Sequence, residues 1–357
     1  MTELGDLEAT ARERLPQAIY DFVAGGSGAE HTLHRNRTAF DARTLTSRIF
    51  AGTAHPDTSE TVLGTRYELP LAVAPMAYQK LLHPDGELTL ARAAAKAGIP
   101  YTISTLSSTP LEEIAAAAPS WFQVYWLRDR GVVASLVDRA LAAGCTALMV
   151  TVDVPIMGRR LRDVRNEFAL PRGIHPENLV DKVTEAHATV PGLSAVAAHT
   201  ASAFDPAVSW ADLEQLRASC PVPLVVKGIL DPRDARRAVG LGADAVVVSN
   251  HGGRQLDGVP AAIDALGPVA DAVGKECGVF LDSGIRSGLD VVKAIASGAD
   301  AVLLGRLFLW ALAADVVDEA LELLAQEVRD AMLLAGCADL AAVRDLHVER
   351  TPWPISS

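Results

Sequence analysis

Short apolar runs bounded by turn residues recur along the chain, and longer amphipathic stretches separate them. Eight such runs stand out: LPLAVAP from Leu69, PYTIST from Pro100, WFQVYW from Trp121, ALMVTVD from Ala147, PLVVKGI from Pro223, AVVVSN from Ala245, VFLDSGI from Val279 and AVLLGR from Ala301. Runs of this length and composition read as buried strands. Between them lie ELTLARAAAKAG, VVASLVDRALAAG, DPRDARRAVGLG and GLDVVKAIASG, Ala-rich stretches that close on Gly as helices do. Strand followed by helix, repeated eight times, predicts an α/β fold of the TIM (β/α)8 barrel type spanning 69–336.

Two regions fall outside the repeat. Residues 1–68 contain EATARERLPQAIYDFVAGG, a helical pattern placed to cap one mouth of the barrel. The stretch 155–210, after the fourth run, is longer than connections in a compact domain usually are. It is a lid candidate on the side where barrels keep their active sites, with a disordered excursion as the alternative. Residues 337–357 read as a C-terminal tail, and the whole of 1–357 as one domain.

Composition narrows the ligand. With 50% apolar residues the 357-residue chain can bury one large core, and a net charge of −12 argues against nucleic acid or an anionic membrane as partner. Cys145, Cys220, Cys277 and Cys337 are scattered, which fits neither a zinc site nor a disulfide framework and suits a reducing cytoplasm. All four read as small buried residues. The start, MTELGDLEAT, lacks the layout of a signal peptide. AVLLGRLFLWALAADVV, interrupted by Arg306 and Asp315, reads as a barrel strand entering a helix and not as a membrane span.

Barrel enzymes place their functional residues at the carboxyl ends of the strands. Here those ends carry, in order, Pro75, Met76 and Ala77; Ser104; Gln123 with Tyr125; Thr151 with Asp153; Lys227; Ser249 with His251; Asp282 with Arg286; and Gly305 with Arg306. A single polar strand end is unremarkable, because satisfied polar groups are common in cores. Eight converging on one mouth describe a site. DSGIRSG and LGRL set Gly284, Arg286, Gly305 and Arg306 after the last two strands, where barrels bind phosphate through backbone N–H groups. The alternative there is turn glycines beside surface arginines. GGSG at Gly25–Gly28 follows a helix and not a strand, so it is no dinucleotide loop.

His251 has the most informative context of the nine histidines. Two glycines follow it, Asp153 stands at another strand end and Arg254 lies three residues on. An Asp that orients the ring and steadies the imidazolium is what a general base needs. Lys227 admits two roles: a desolvated amine could form a Schiff base, as in class I aldolases, or a charged one could neutralise an anionic cofactor. The neighbouring phosphate subsite, amide and hydroxyls favour the second.

With these residues assembled, the chain resembles the FMN-dependent 2-hydroxy acid oxidases and dehydrogenases. YDFVAGGSGAE, APMAYQ, FQVYW, TVDVPIMGRRLRD, LVVKGI, SNHGGRQLD, LDSGIRSG and LGR carry the resemblance over nearly the whole length. It implies that Pro75, Met76 and Ala77 lie against an FMN ring that Ser104, Gln123, Thr151 and Ser249 hydrogen-bond, with Lys227 at the pyrimidine edge. It further implies Asp282 at the ribityl chain, and the segment Ser283, Gly284, Ile285 and Arg286 with Gly305 and Arg306 around the phosphate. The substrate carboxylate would be held by Arg254, Arg160 and the Tyr125 hydroxyl while His251 takes the proton, from either the α-carbon or the hydroxyl. O2 as electron acceptor and a homotetramer come with the same resemblance.

Departures from the family pattern bear on the substrate. Phe22 stands where many relatives have a tyrosine that helps hold the carboxylate, a loss of about 1 kcal/mol for one neutral hydrogen bond. Leu106 replaces a pocket tryptophan of glycolate oxidases. A Phe and a Leu make an apolar wall suited to a phenyl ring, although drift at a tolerant position would also explain Leu106. Ser283 replaces a common glycine. Phe22 with AYQKLLHP and TLSSTPLEEIA most resembles the actinobacterial branch that oxidises (S)-4-hydroxymandelate to 4-hydroxybenzoylformate, with release of H2O2. Membrane-bound relatives carry an apolar insertion in the long loop, whereas this one holds Asp181, Lys182 and Glu185. The competing expectations are an oxidase or dehydrogenase of small aliphatic 2-hydroxy acids, a Schiff-base aldolase on Lys227, and a flavin-binding barrel without turnover.

Overall fold

In the computed structural model, residues 3–179 and 194–351 are described. All eight apolar runs are strands: β1 (Leu71–Val73), β2 (Tyr101–Ser104), β3 (Ser120–Val124), β4 (Leu148–Thr151), β5 (Leu224–Ile229), β6 (Ala245–Val248), β7 (Gly278–Leu281) and β8 (Ala301–Leu304). They pair in parallel and close into one barrel, β8 returning to β1 through Leu303↔Ala72 and Leu304↔Val73.

Three helices precede the barrel: α1 (Asp6–Arg14), α2 (Gln17–Ala24) and α3 (His31–Asp41). Within and after it run α4 (Glu87–Lys96), α5 (Leu111–Ala117), α6 (Arg130–Ala142), α7 (Leu161–Arg165), α8 (Ala195–Ala203) and α9 (Trp210–Ser219). The last six are α10 (Pro232–Gly240), α11 (Ala262–Val273), α12 (Gly288–Ala296), α13 (Arg306–Ala314), α14 (Val317–Leu334) and α15 (Leu340–Arg344). Local chemistry sets their limits. Asp129, Asp231 and Ser287 cap the starts of α6, α10 and α12, and Gly98, Gly144, Gly242 and Gly298 follow helix ends with positive φ.

The N-terminal segment differs from the helical cap expected of it. Pro16 forces Leu15 into an extended conformation and splits EATARERLPQAIYDFVAGG into α1 and α2. Further on, Glu60–Val62 and Thr65–Tyr67 form a hairpin. Its Val62 and Tyr67 pack into the barrel interior with Ala72, Trp121, Met149, Val225, Val247, Phe280 and Leu303. The hairpin therefore plugs the mouth at which the strands begin, while α2 lies at the opposite mouth. Nor are residues 337–351 a trailing tail: after α15, His347–Arg350 pairs antiparallel with Arg43–Thr46.

Strand periodicity carries the interior face upward and changes its chemistry. Along β3 the sequence of alternate positions is Trp121, Gln123, Tyr125; along β4 it is Met149, Thr151, Asp153; along β6 it is Val247, Ser249, His251. Val225 gives way to Lys227 and Phe280 to Asp282 in the same manner. The long connection after β4 contains α7, a single helical turn at Glu177–Leu179, and α8. α8 is held beside the upper mouth by backbone hydrogen bonds from Arg128 to Ala203 (2.9 Å) and from Asp205 to Trp126 (3.0 Å). The 180–193 part of the lid candidate, with Asp181, Lys182 and Glu185, lies outside the described residues, as do residues 352–357. Among the described residues, no helix is long and apolar enough to cross a membrane. Cys145, Cys220 and Cys337 are buried as expected, whereas Cys277 is only half-buried.

Candidate active site

The carboxyl mouth opens into a cleft with about 1280 Å³ of space unfilled by protein. From strand ends β1 and β2 its wall takes Pro75, Met76, Ala77, Ser104 and Leu106; from β3 and β5 it takes Tyr125 and Lys227. His251 and Arg254 follow β6, Asp282 through Arg286 follow β7, and Gly305 and Arg306 follow β8. Two other elements join them: α2 contributes Phe22, and the long connection contributes Arg160, Val196, Thr200 and Phe204.

His251 and Asp153 meet across the mouth, with Nδ1 at 3.0 Å from the Asp153 carboxylate. A proton held on Nδ1 leaves the Nε2 lone pair available. The base has a left-handed backbone, φ 59°, unusual for a residue with a side chain. Asn250 fixes that turn by accepting from the Gly253 N–H at 3.1 Å, and Asn250 is itself paired with Asn36 of α3. Burial pushes the imidazole below its ordinary pKa while Asp153 pulls it back up. On Asp153, burial raises and His251 lowers, and the carboxyl ends below the usual range.

From His251 a polar chain runs through the barrel. Ser249 Oγ accepts from the His251 N–H at 3.0 Å and from Lys227 Nζ at 3.1 Å, and Lys227 pairs with Asp282 at 2.9 Å. Burial alone would lower the pKa of Lys227, yet the Asp282 and Asp153 carboxylates outweigh it and hold the ammonium above its ordinary value. An amine so paired is a poor Schiff-base nucleophile, which removes the support for the aldolase reading. Gly228, one step along β5, has φ 111°, and a Cβ there would meet the Asp153 side chain at 2.7 Å.

Gln123, Thr151 and Ser249 lie just behind the cleft wall. Gln123 accepts from the Thr105 N–H at 3.2 Å through Oε1, but among the described residues its Nε2 has no partner, and neither has Thr151 Oγ1. Buried polar atoms left unpaired at two neighbouring strand ends are what a polar ring ligand would satisfy. On the other side of the mouth, four guanidinium groups crowd together. Burial and then Arg160 and Arg306 depress Arg254; burial and then Arg286 and Arg160 bring Arg306 to about 9; burial and then Arg37 bring Arg286 to about 10. Guanidinium groups keep their charge at neutral pH, and a bound anion would offset their mutual repulsion.

Those arginines also grip α2. Arg254 donates to the carbonyls of Phe22 (2.7 Å), Val23 (3.2 Å) and Gly25 (2.9 Å), and Arg306 to those of Val23 (2.8 Å), Gly25 (3.0 Å) and Gly252 (2.9 Å). Positive side chains at a helix C-terminus complement its dipole. Gly305 precedes α13 and leaves the first N–H groups of that helix at the mouth. Gly284 is required for a different reason: a Cβ there would meet the Asn36 carbonyl oxygen at 2.6 Å. Ser283 adopts the left-handed φ of 74° that a glycine would take freely. Its hydroxyl joins Asp282 (2.7 Å) to the Gly252 N–H (2.9 Å).

Phe22 stacks on Phe168 at 4.5 Å and 11°, and Tyr125 packs on Phe204 at 4.7 Å. The Arg254 and Arg160 guanidiniums sit 5.4 and 6.0 Å from the Phe22 ring, as cation–π pairs do. Burial pushes the Tyr125 phenol up to about 12, so it remains a donor. The sequence assigns no role to Gln255, and it covers Phe168 and α8 only as parts of the 155–210 lid candidate. Gln255, inside SNHGGRQLD, donates to the carbonyls of Asp153 and Ile156 at 2.8 Å and accepts from the Gly158 N–H at 3.0 Å. Its place in that motif was the available signal. Phe168 and α8 reach the site through the tertiary fold and carry no local one.

A mouth with a carboxylate-steadied imidazole facing a field of buried cations marks a barrel enzyme that handles anionic ligands. Residues 11–350 match the FMN-dependent dehydrogenase family, and the chain belongs to it. It is 55% identical to the 4-hydroxymandelate oxidase of Amycolatopsis orientalis, over 97% of this chain and 98% of that one. It is 46% identical to an L-lactate oxidase of Nostoc sp., over 94% of this chain and 95% of that one. Among solved structures, mandelate oxidase crystallised with (S)-4-hydroxymandelic acid superposes with a TM-score of 0.96 at 53% identity, covering 99% of this chain and all of that one.

Proposed function

We propose that this enzyme oxidises an aromatic (S)-2-hydroxy acid, mandelate or 4-hydroxymandelate, to the corresponding 2-oxo acid, with O2 as the final acceptor. The observation that carries the reading is the His251–Asp153 pair opposite Arg254, Arg160 and Tyr125, in a cleft walled by Phe22, on which Phe168 stacks. FMN, when bound, takes up the two electrons that leave the substrate. Gln123, Thr151, Ser104 and Ser249 would hold its ring, Lys227 its pyrimidine edge, Asp282 its ribityl chain, and Arg286, Arg306 and the start of α13 its phosphate.

The chain's own groups do the rest. Arg254 and Arg160 neutralise the substrate carboxylate, and the protonated Tyr125 donates to it. His251 accepts one proton at Nε2, and Asp153 stabilises the imidazolium that results. Phe22, Leu106 and Phe204 enclose the ring and exclude water. The four free cysteines support a reducing cytoplasm as the setting. A homotetramer is the assembly we assign, to be checked by light scattering. Anaerobic bleaching of the flavin by glycolate, lactate, mandelate and 4-hydroxymandelate tests the substrate: the aromatic acids should reduce it fastest, and faster reduction by lactate would overturn the assignment.

A further inference from the structure

One group in the cleft has no task in this scheme. Tyr78 follows β1 directly after Ala77, lines the cleft and is 1% exposed, yet its hydroxyl has no hydrogen-bond partner among the described residues. A buried phenol with an unmade hydrogen bond is costly, and an apolar side chain of the same shape would avoid the cost. The backbone adds to it, for Tyr78 has φ 56°, a left-handed conformation that residues with side chains rarely adopt. Strain and an orphaned polar group coincide at one residue of a ligand-binding wall.

The surroundings define what would satisfy that hydroxyl. Its ring lies 6.5 Å from Phe22, tilted by 49°, and its N–H donates to the Leu106 carbonyl at 3.1 Å. Tyr78 thus lines the cleft beside Phe22 and Leu106, within electrostatic reach of Tyr125 and Arg160. Arg254, Arg160 and Tyr125 already supply cationic and hydroxyl donors for a carboxylate. Burial keeps the Tyr78 phenol protonated far above neutral pH, so it is both donor and acceptor.

We infer that the Tyr78 hydroxyl is a specificity determinant that hydrogen-bonds a hydroxyl on the substrate's aromatic ring, so that the pocket selects a phenolic over a plain phenyl 2-hydroxy acid. This rests on the aromatic-substrate reading above and assigns the residue that separates its two candidates. A site built to hydrogen-bond a substrate hydroxyl discriminates against the analogue that lacks it, because the protein group is then left unpaired.

The test compares kcat/KM for 4-hydroxymandelate, mandelate and 4-fluoromandelate in the wild-type holoenzyme and in Tyr78→Phe. Wild type should favour 4-hydroxymandelate over both others by about tenfold, the equivalent of one net hydrogen bond. In Tyr78→Phe that ratio should fall to near unity. Titration of the oxidised holoenzyme with 4-hydroxyphenylacetate and phenylacetate, followed by flavin absorbance, should show the same preference without turnover. Equal wild-type handling of the three acids, or a ratio preserved in Tyr78→Phe, would overturn the inference. The second result would place the hydroxyl on the carboxylate instead. If lactate is oxidised and no aromatic acid is, the substrate reading itself has failed, and the two failures are distinguishable.

Discussion

The two mouths of the barrel are built on the same strands and the same alternation, yet they are chemically opposite. At the lower mouth the inward positions are apolar and mutually satisfied: Trp121 stacks on Phe280 at 6.2 Å, and Tyr67 of the hairpin meets Trp121 edge-on at 6.5 Å. At the upper mouth the same rows end in Gln123, Thr151, Lys227, Ser249 and Asp282, all buried, with atoms on Gln123 and Thr151 that find no partner among the described residues. One end of the cylinder is complete as folded, and the other is complete only with ligands. Stability and function are thus segregated along the strand axis, a division that can be broken from either end.

The largest expected effect is at the top. His251→Ala should slow anaerobic flavin reduction by roughly 10³-fold or more, the scale of a lost general base, while the purified protein stays yellow. Reduction at the wild-type rate would show that the base lies elsewhere. At the bottom, Trp121→Ala should cost about 3–5 kcal/mol in denaturant unfolding of the apoprotein. Its KM for substrate, measured at a temperature where it remains folded, should be unaltered, and a changed KM would mean that the two ends are not independent.

Asp153→Asn sharpens the upper half. Asp153 raises the His251 pKa, so its loss should lower that pKa further beneath the ordinary 6.5. The neutral ring is the proton acceptor, so kcat/KM falls as pH drops through this pKa. The acid limb of the variant should therefore move to lower pH while the rate at neutral pH falls about 10²-fold. A limb that moves upward would contradict the pairing. The smallest effect expected is Arg306→Ala, which should weaken FMN binding by about 10- to 100-fold, the scale of a charged hydrogen bond. Fluorescence titration of the apoprotein measures it. Undiminished affinity would reduce Arg306 to its grip on Val23 and Gly25.

Much of this arrangement was legible in the sequence, because both periodicities involved are local. Apolar runs gave all eight strands, and the switch from Trp121 to Gln123 or from Met149 to Thr151 is visible in the letters. The His251–Asp153 pair followed from strand ends that a barrel must bring together. What stayed hidden depends on distance along the chain. Nothing near Glu60–Tyr67 announces a barrel plug, since a hairpin of two three-residue strands carries almost no periodic signal. The stack of Phe168 on Phe22 and the approach of α8 likewise depend on how a long connection folds back. The sequence marks Arg254 and Arg306 as ligands for anions, while their hydrogen bonds to α2 come only from the geometry.

The pairing of Arg43–Thr46 with His347–Arg350 has a consequence for how the molecule comes into being. It joins segments near opposite ends of the sequence, so α3, which buttresses Asn250 and the turn at His251, is latched only after residue 350 has been synthesised. A nascent chain carrying every strand of the barrel still lacks that latch. Contacts of such high sequence separation lengthen the search that folding must make, and this one cannot form until both segments are available.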